Sequence, residues 1–356
     1  MKTVPQEISV KEIQRVTPSQ FTVMSRCIYR VVLASSLDHD FVLPISANAY
    51  FGTLAHKILE KFEKGAITTI DEFEYAFSVQ VNKIEKELEE RGFHFMLPLS
   101  AHVKDFGVKK ALLRRHLKRD QKSGVGGFHY ITEKWYQSSD SSIGGKIDLV
   151  IVKGASVEIV DFKTGKIEEE IIGENGVPSL ELKKEYTDQL KLYAYLYFEK
   201  TSVFPSSLAL VDLVNRKYYV EFSESECRTI YEKAKLLLSE TNERIRRNEL
   251  NAIPSDDLCK FCLFRPGCSF FISYLERSEV QTDVVGIVTH VVRLLNRSVT
   301  VFLNRNGTSI RVNRLSENTY LELIDFKERK IAFFNLKKAQ ASSDYSATKM
   351  TLYYGY

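Results

Sequence analysis

No stretch of this 356-residue chain reaches the roughly 18 apolar residues that a membrane-spanning helix requires. The first twenty residues have no apolar run behind a basic start, so no leader is expected either. Together these absences predict a soluble, intracellular (cytoplasmic) protein with no membrane partner. Nor does any Gly-x4-Gly-Lys-Ser/Thr element occur. The nearest approach, Ile143-Gly-Gly-Lys146, fails because Ile147 follows the lysine and Asp140 stands where the first glycine belongs. A nucleotide-driven motor is thereby excluded. Cysteine is scarce: Cys27, Cys227, Cys259, Cys262 and Cys268 are five in number, an odd count, and three of them lie within ten residues. Disulfides are disfavoured in such a chain, and metal ligation is favoured. Charge imbalance is small, at +4, yet residues 279–356 hold 11 Lys/Arg against 7 Asp/Glu, so the whole excess sits in that tail.

With 44% hydrophobic residues the chain can bury one large core or two ordinary ones. From Asn48 to Lys64, Phe51, Leu54, Ala55, Ile58, Leu59 and Phe62 recur at helical spacing and Gly65 supplies a stop, which predicts an amphipathic helix. Residues 66–122 read as charged helices ending in a basic run, Lys109, Lys110, Arg114, Arg115, Lys118, Arg119 and Lys122, before the glycine-rich 123–127. The run is equally readable as a phosphate-contacting face or as an ordinary solvated one. Strands follow at about 130–137, 143–153 and 157–163. Residues 164–179 then read as a polar, acidic loop, 181–200 as a Tyr- and Leu-rich helix, 208–222 as a hairpin and 225–248 as a long helix. From about Asp283 the pattern changes to short alternating strands. An Asn306-Gly307 turn joins 299–303 to 309–312, and further strands are expected at 320–326, 331–336 and 349–354. Five or so strands in that length predict a small OB-like barrel. Tyr320, Phe333, Phe334, Tyr353 and Tyr354 there are either a stacking platform or barrel core.

The chemistry concentrates in Gly145-Lys-Ile-Asp-Leu-Val-Ile-Val-Lys-Gly154 and Val157-Glu-Ile-Val-Asp-Phe-Lys-Thr-Gly165. With Gly154 and Ala155 as the turn, the hairpin register sets Asp148 across from Asp161. Alternation along a strand then puts Lys163 on the face of Asp161 and Phe162 on the other. Paired carboxylates repel unless a divalent cation neutralises them, which asks for Mg2+ or Mn2+. An ammonium two residues away can polarise an attacking water or stabilise a charged phosphorane. Asp-x-Lys alone is weak evidence, and the chain contains a decoy, Asp325-Phe326-Lys327, without a register partner.

Other residues give the pair its value. His56 lies on the first helix one turn after Gly52, whereas the remaining six histidines carry no such context. Gln189 and Tyr193, four apart, share a helix face. In this order the residues resemble the RecB-like branch of the PD-(D/E)XK nucleases, which includes the nuclease domains of RecB and AddB, CRISPR-associated relatives and eukaryotic flap-processing relatives. The resemblance rests on a helical Gly-x-x-x-His (Gly52, His56), a strand Asp (Asp148), Asp-x-Lys (Asp161, Lys163) and Gln-x-x-x-Tyr (Gln189, Tyr193), and spans about Thr17 to Tyr274. It implies that His56, Asp148, Asp161 and the Phe162 carbonyl ligate Mg2+ or Mn2+, that Lys163 is catalytic, and that Gln189 and Tyr193 position the substrate strand.

Cys259-x2-Cys262-x5-Cys268 with the distant Cys27 extends the resemblance. In iron-sulfur members one N-terminal and three C-terminal cysteines hold a 4Fe-4S cluster joining the domain ends. Soft thiolates serve either such a cluster or Zn2+. Ile28 follows Cys27 where the family usually has proline, and Cys227 on a polar helix is left over. The fold expected is an α/β PD-(D/E)XK restriction-endonuclease-like core over 1–278 with a helical insertion at 66–130, plus an OB-like all-β barrel over 279–356. The function expected is an exonuclease or flap-type nuclease on single-stranded or end-frayed DNA, serving DNA repair, recombination or defence, with a helicase as a possible partner. A catalytically idle DNA-binding or scaffold subunit is the alternative, disfavoured because every expected catalytic position is filled; no residue excludes RNA as the substrate.

Overall fold

The structure is a computed structural model, and it describes every residue except Met1, Gln6, 119–127, 173–175, Val177 and Ala341. The glycine-rich segment 123–127, with Arg119 and Lys122 of the basic run, lies outside the described residues. The chain forms two compact units: Ile13–Ser25 with Ser46–Arg247, and Met1–Glu12, Arg26–Ile45 and Asn248–Tyr356. Among the described residues no helix is long and apolar enough to cross a membrane.

The unit containing residues 46–247 is built on strands β1 (Phe128–Gln137), β2 (Gly144–Lys153) and β3 (Ser156–Lys163). A separate exposed hairpin, β4 (Glu168–Ile172) with β5 (Pro178–Leu182), follows, then β6 (Ser207–Asp212) and β7 (Lys217–Tyr219). The main sheet runs in the order β1-β2-β3-β6-β7, antiparallel except for the β3/β6 pair. A parallel neighbour needs a crossover. The helix Lys184–Thr201 supplies it, and its Tyr195 stacks on Tyr231 of the long helix Glu224–Arg246 with ring centroids 4.2 Å apart. The amphipathic helix spans Ala47–Glu63, started by Ser46, whose hydroxyl accepts the Ala49 N–H. Its apolar stripe meets the helices Ile70–Glu90 and Phe106–Arg114 through rings: Phe62 stacks on Phe73 at 5.9 Å, and Phe51 meets Phe106 edge-on at 5.8 Å. Part of the basic run folds back onto this layer. Lys109 donates to Asn48 at 2.8 Å, while Lys110 and Arg114 both pair with Glu74.

Segment 164–179, expected to be a loop throughout, contains β4 and the start of β5. The two strands expose almost every residue, so no burial pattern marks them in the sequence.

The other unit carries β8 (Val284–Arg293), β9 (Val299–Arg305), β10 (Thr308–Leu315), β11 (Lys330–Phe334), β12 (Lys337–Lys338), β13 (Tyr345–Ser346) and β14 (Leu352–Gly355). They form one curled, open sheet of the small-barrel kind, in the order β12-β13-β10-β9-β8-β11-β14, with seven strands where five or so were expected. Asn306 and Gly307, at φ 53° and 84°, make the two-residue turn between β9 and β10, a left-handed pair matching strand twist. The expected strand at 320–326 is instead a short helix, Tyr320–Ile324, after a 3-10 turn at Glu317–Thr319.

Alternation sorts the sheet residues into two cores. Val284, Ile331 and Phe333 join Val301, Leu303 and Tyr345 on one side. On the other, Val285, Ala332, Phe334 and Tyr354 pack with Leu33, Phe271 and Cys268. Phe333 and Phe334 are fully buried and Tyr354 nearly so, which makes these three core, while Tyr320 and Tyr353 are partly buried against the same core. Buried charge ties the cysteine segment to this sheet. The Arg265 guanidinium donates to Asp283 at 2.8 Å, to the Cys262 carbonyl at 2.8 Å and to Asn335 at 2.6 Å.

Candidate metal centre and cysteine cluster

The β2/β3 ladder pairs Leu149 with Val160, Val150 with Ile159 and Lys153 with Ser156, which is the register that opposes Asp148 and Asp161. Regular pairing stops at Leu149–Val160. One rung further, the Asp148 carboxylate accepts the Phe162 N–H at 2.9 Å in place of a ladder bond. The Phe162 ring faces a 430 Å³ groove lined by Phe62, Leu149 and Val160, while Asp161 and Lys163 turn to the opposite side, toward the helix Lys184–Thr201.

On that side three groups lock together. Lys163 Nζ lies 2.7 Å from Asp161 Oδ2 and donates to Gln189 Oε1 at 3.1 Å. The Gln189 amide returns a hydrogen bond to Asp161 Oδ1 at 3.2 Å, and the ammonium sits 4.5 Å from the Tyr186 ring centroid. One helical turn on, Tyr193 packs against Gly145, where a Cβ would come within 3.0 Å of its ring and 2.8 Å of Pro18. Glycine is therefore required there for space. Gln189 and Tyr193 are both buried, the first bonded to Lys163 and the second packed on Gly145 of β2.

His56 reaches the site from the helix Ala47–Glu63. Its Nδ1 is 3.3 Å from Asp148 Oδ2. Gly52, one turn earlier, lets the chain after β3 approach, since a Cβ there would stand 3.0 Å from Thr164 Oγ1. Glu133, which no motif in the sequence marks, joins the site from β1. The β1/β2 ladder pairs Thr132 with Leu149 and Lys134 with Ile147, which sets Glu133 opposite Asp148 on its other flank. Donor atoms of His56, Glu133 and Asp148 all lie within 4.8 Å of one another. Glu133 adopts φ 50°, an unusual conformation for a residue with a side chain. The turn it makes re-aims β1: Tyr130 lines the Phe62 groove, whereas Tyr136, of the same parity, meets Tyr197 on the opposite side.

Electrostatics follow from this crowding. Burial raises the Asp161 pKa; Lys163 opposes the rise and Asp148 adds to it. For Lys163 burial lowers the pKa, but Asp161 and Asp148 outweigh it and hold the ammonium above its ordinary value. For His56 burial also works downward, and the hydrogen bond and charge of Asp148 carry it upward. Asp161 Oδ2 is buried and, although ion-paired, has no well-directed hydrogen bond. A buried carboxylate oxygen in that condition suits a cation, and carboxylates with one imidazole are a donor set for Mg2+ or Mn2+.

The decoy Asp325-Phe326-Lys327 lies instead in the turn after the helix Tyr320–Ile324, with Phe326 packed over Gly355. It brings no second acid to a shared strand face.

In the other unit, Cys27, Cys259, Cys262 and Cys268 line one pocket, together with Tyr29, Arg30 and Arg265. Cys227 is buried elsewhere, in the helix Glu224–Arg246. Burial and the neighbouring cysteines push the Cys268 thiol up to about 12. Crowded thiols that resist ionisation are a ligand set whose charge a metal would neutralise.

The sequence model of the PD-(D/E)XK nuclease superfamily matches residues 15–269. Among solved structures, a protein described as a putative exonuclease from Eubacterium rectale is similar at 10% identity, covering 67% of this chain and 83% of its own, with a TM-score of 0.41. A protein solved under the name SSO0001 is similar at 15% identity, covering 73% and 89%, with a TM-score of 0.30. No curated protein matches the chain.

Proposed function

This chain belongs to the PD-(D/E)XK nuclease superfamily, and on that premise we propose that it is a divalent-metal-dependent deoxyribonuclease of the RecB-like branch, an exonuclease or flap-type enzyme preferring single-stranded or end-frayed DNA. One observation carries the reading: His56, Glu133, Asp148, Asp161, Lys163 and Gln189 converge from two helices and three strands on one place in one unit. A surface ion-pair network would not bury a carboxylate such as Asp161 beside two further acids.

His56, Glu133, Asp148 and Asp161, with the Phe162 carbonyl, would hold the ion. When bound, Mg2+ or Mn2+ polarises a phosphoryl oxygen and lowers the pKa of a coordinated water. The protein's own part is positional and electrostatic. Lys163, fixed between Asp161 and Gln189, presents an ammonium where a water attacks phosphorus and where negative charge grows on the phosphoryl oxygens. Gln189 and Tyr193 position the substrate strand indirectly, by fixing that ammonium and the start of β2. In the other unit, Cys27, Cys259, Cys262 and Cys268 line one pocket and would hold a 4Fe-4S cluster, for which four soft thiolates are the ligand set; a single Zn2+ is the alternative occupant. The cluster's role is structural, joining the helices on either side of it to the curled sheet.

The test is cleavage of end-labelled single- and double-stranded DNA by anaerobically purified protein, with Mg2+, Mn2+ or chelator. Expected is metal-dependent shortening of the single strand and faster cutting of frayed than of blunt ends. Equal, metal-independent persistence of both labels would reject the assignment.

A further inference from the structure

The chain has one tryptophan, Trp135, and it stands on β1 two residues beyond Glu133. The indole is 45% exposed, yet it is held in place. Its Nε1–H donates to Gln137 Oε1 at 3.0 Å. The Arg15 guanidinium lies 5.3 Å from the ring centroid, anchored by a 2.9 Å hydrogen bond to the Ser141 carbonyl. Gly144 makes room for the ring, because a Cβ there would come within 3.1 Å of indole Cζ2. Across the ladder, the Cα partner of Trp135 is Lys146, about half exposed, whose ammonium is ion-paired with Glu133. Glu133 is in turn one of the three groups clustered for a metal. A held, water-facing aromatic plane with two cations therefore stands two residues along β1 from Glu133, and one of those cations, Lys146, is paired with Glu133 itself.

Leaving the largest apolar side chain in water forfeits its burial energy, and fixing its orientation adds an entropic cost. An unpaired nucleobase would use both features, since it presents a π-face to the indole while Lys146 and Arg15 neutralise the phosphates beside it. Bases within a duplex are already stacked on each other and offer no such face. We propose that Trp135, flanked by Arg15 and Lys146, is a stacking subsite for an unpaired nucleobase next to the phosphate to be cut, and so a determinant of single-strand preference. This deepens the nuclease reading and rests on it.

Because Trp135 is the sole tryptophan, intrinsic emission reports this position alone. Full-length protein in chelator is titrated with a fluorescein-labelled dT oligonucleotide, following indole emission and label anisotropy together, and then with a blunt duplex. Saturable quenching by the single strand, in step with anisotropy and much weaker with the duplex, is expected. Trp135→Ala should weaken single-strand affinity about 5- to 150-fold and raise KM with kcat nearly unchanged, whereas Trp135→Phe should restore most of the affinity. A merely structural indole would not be quenched in step with binding. If DNA binds and is cut while emission and the KM of Trp135→Ala stay unchanged, the subsite is wrong and the nuclease reading stands; the indole is then a contact for another protein. If no DNA binds and none is cut, both fall.

Discussion

Replacing Asp161 or Lys163 by alanine is expected to lower metal-dependent DNA cleavage by at least about 100-fold each, with DNA binding largely retained. Asp161 is nearly inaccessible and shares Gln189 with Lys163, so each variant strands a partner: Asp161→Ala leaves a buried ammonium without its carboxylate, and Lys163→Ala leaves a buried carboxylate without its cation. The pair acts as a unit, and the double variant should be little worse than either single one. Asp325→Ala is the internal control. Its segment lies in a turn of the other unit, and activity should be unchanged. The measurement is initial-rate cleavage of labelled single-stranded DNA with binding followed in parallel. Wild-type rates in Asp161→Ala, or an equal loss in Asp325→Ala, would show that the site lies elsewhere.

The second large effect concerns the cysteines. Anaerobic protein should be brown, with broad visible absorption and about four irons per chain. Replacing Cys268 by serine should remove the iron and sharply reduce soluble yield and thermal stability, because this residue also packs among Tyr29, Leu33 and Phe271 under the curled sheet. Cys227→Ser should leave colour and iron content unchanged, since Cys227 is buried in the other unit. Colourless wild-type protein with one equivalent of zinc would refute the cluster.

The two hairpins of the site differ in how far the sequence reveals them. Between β2 and β3 the turn is only Gly154 and Ala155, so strand alternation alone places Asp148 and Asp161 opposite each other. Between β1 and β2 the connection runs from Ser138 to Ile143, a length that fits several registers, and Glu133 breaks the local pattern with a left-handed backbone. Its partnership with Asp148 was invisible for that reason. Tyr-Leu-Glu-Leu-Ile at 320–324 alternates over too few residues to separate a strand from one helical turn, and only Leu323 of that helix is buried. The aromatic pair Phe333-Phe334 shows the opposite limit. Adjacent residues on a strand must face opposite sides, and only the presence of a core on both sides shows that each is buried. The four cysteines were legible as a set because soft ligands leave a count and a spacing, while their meeting around one pocket is visible only in three dimensions.

The proposed metal centre is tested most directly by Mn2+ binding, followed by electron paramagnetic resonance as Mn2+ is titrated into wild-type protein, Asp148→Ala and Glu133→Gln. Asp148 touches both His56 and the Phe162 N–H, and Glu133 completes the donor cluster. Wild-type protein should take up Mn2+ saturably, Asp148→Ala should lose that uptake, and Glu133→Gln should weaken it. Identical titrations for all three proteins would contradict a metal centre at these residues.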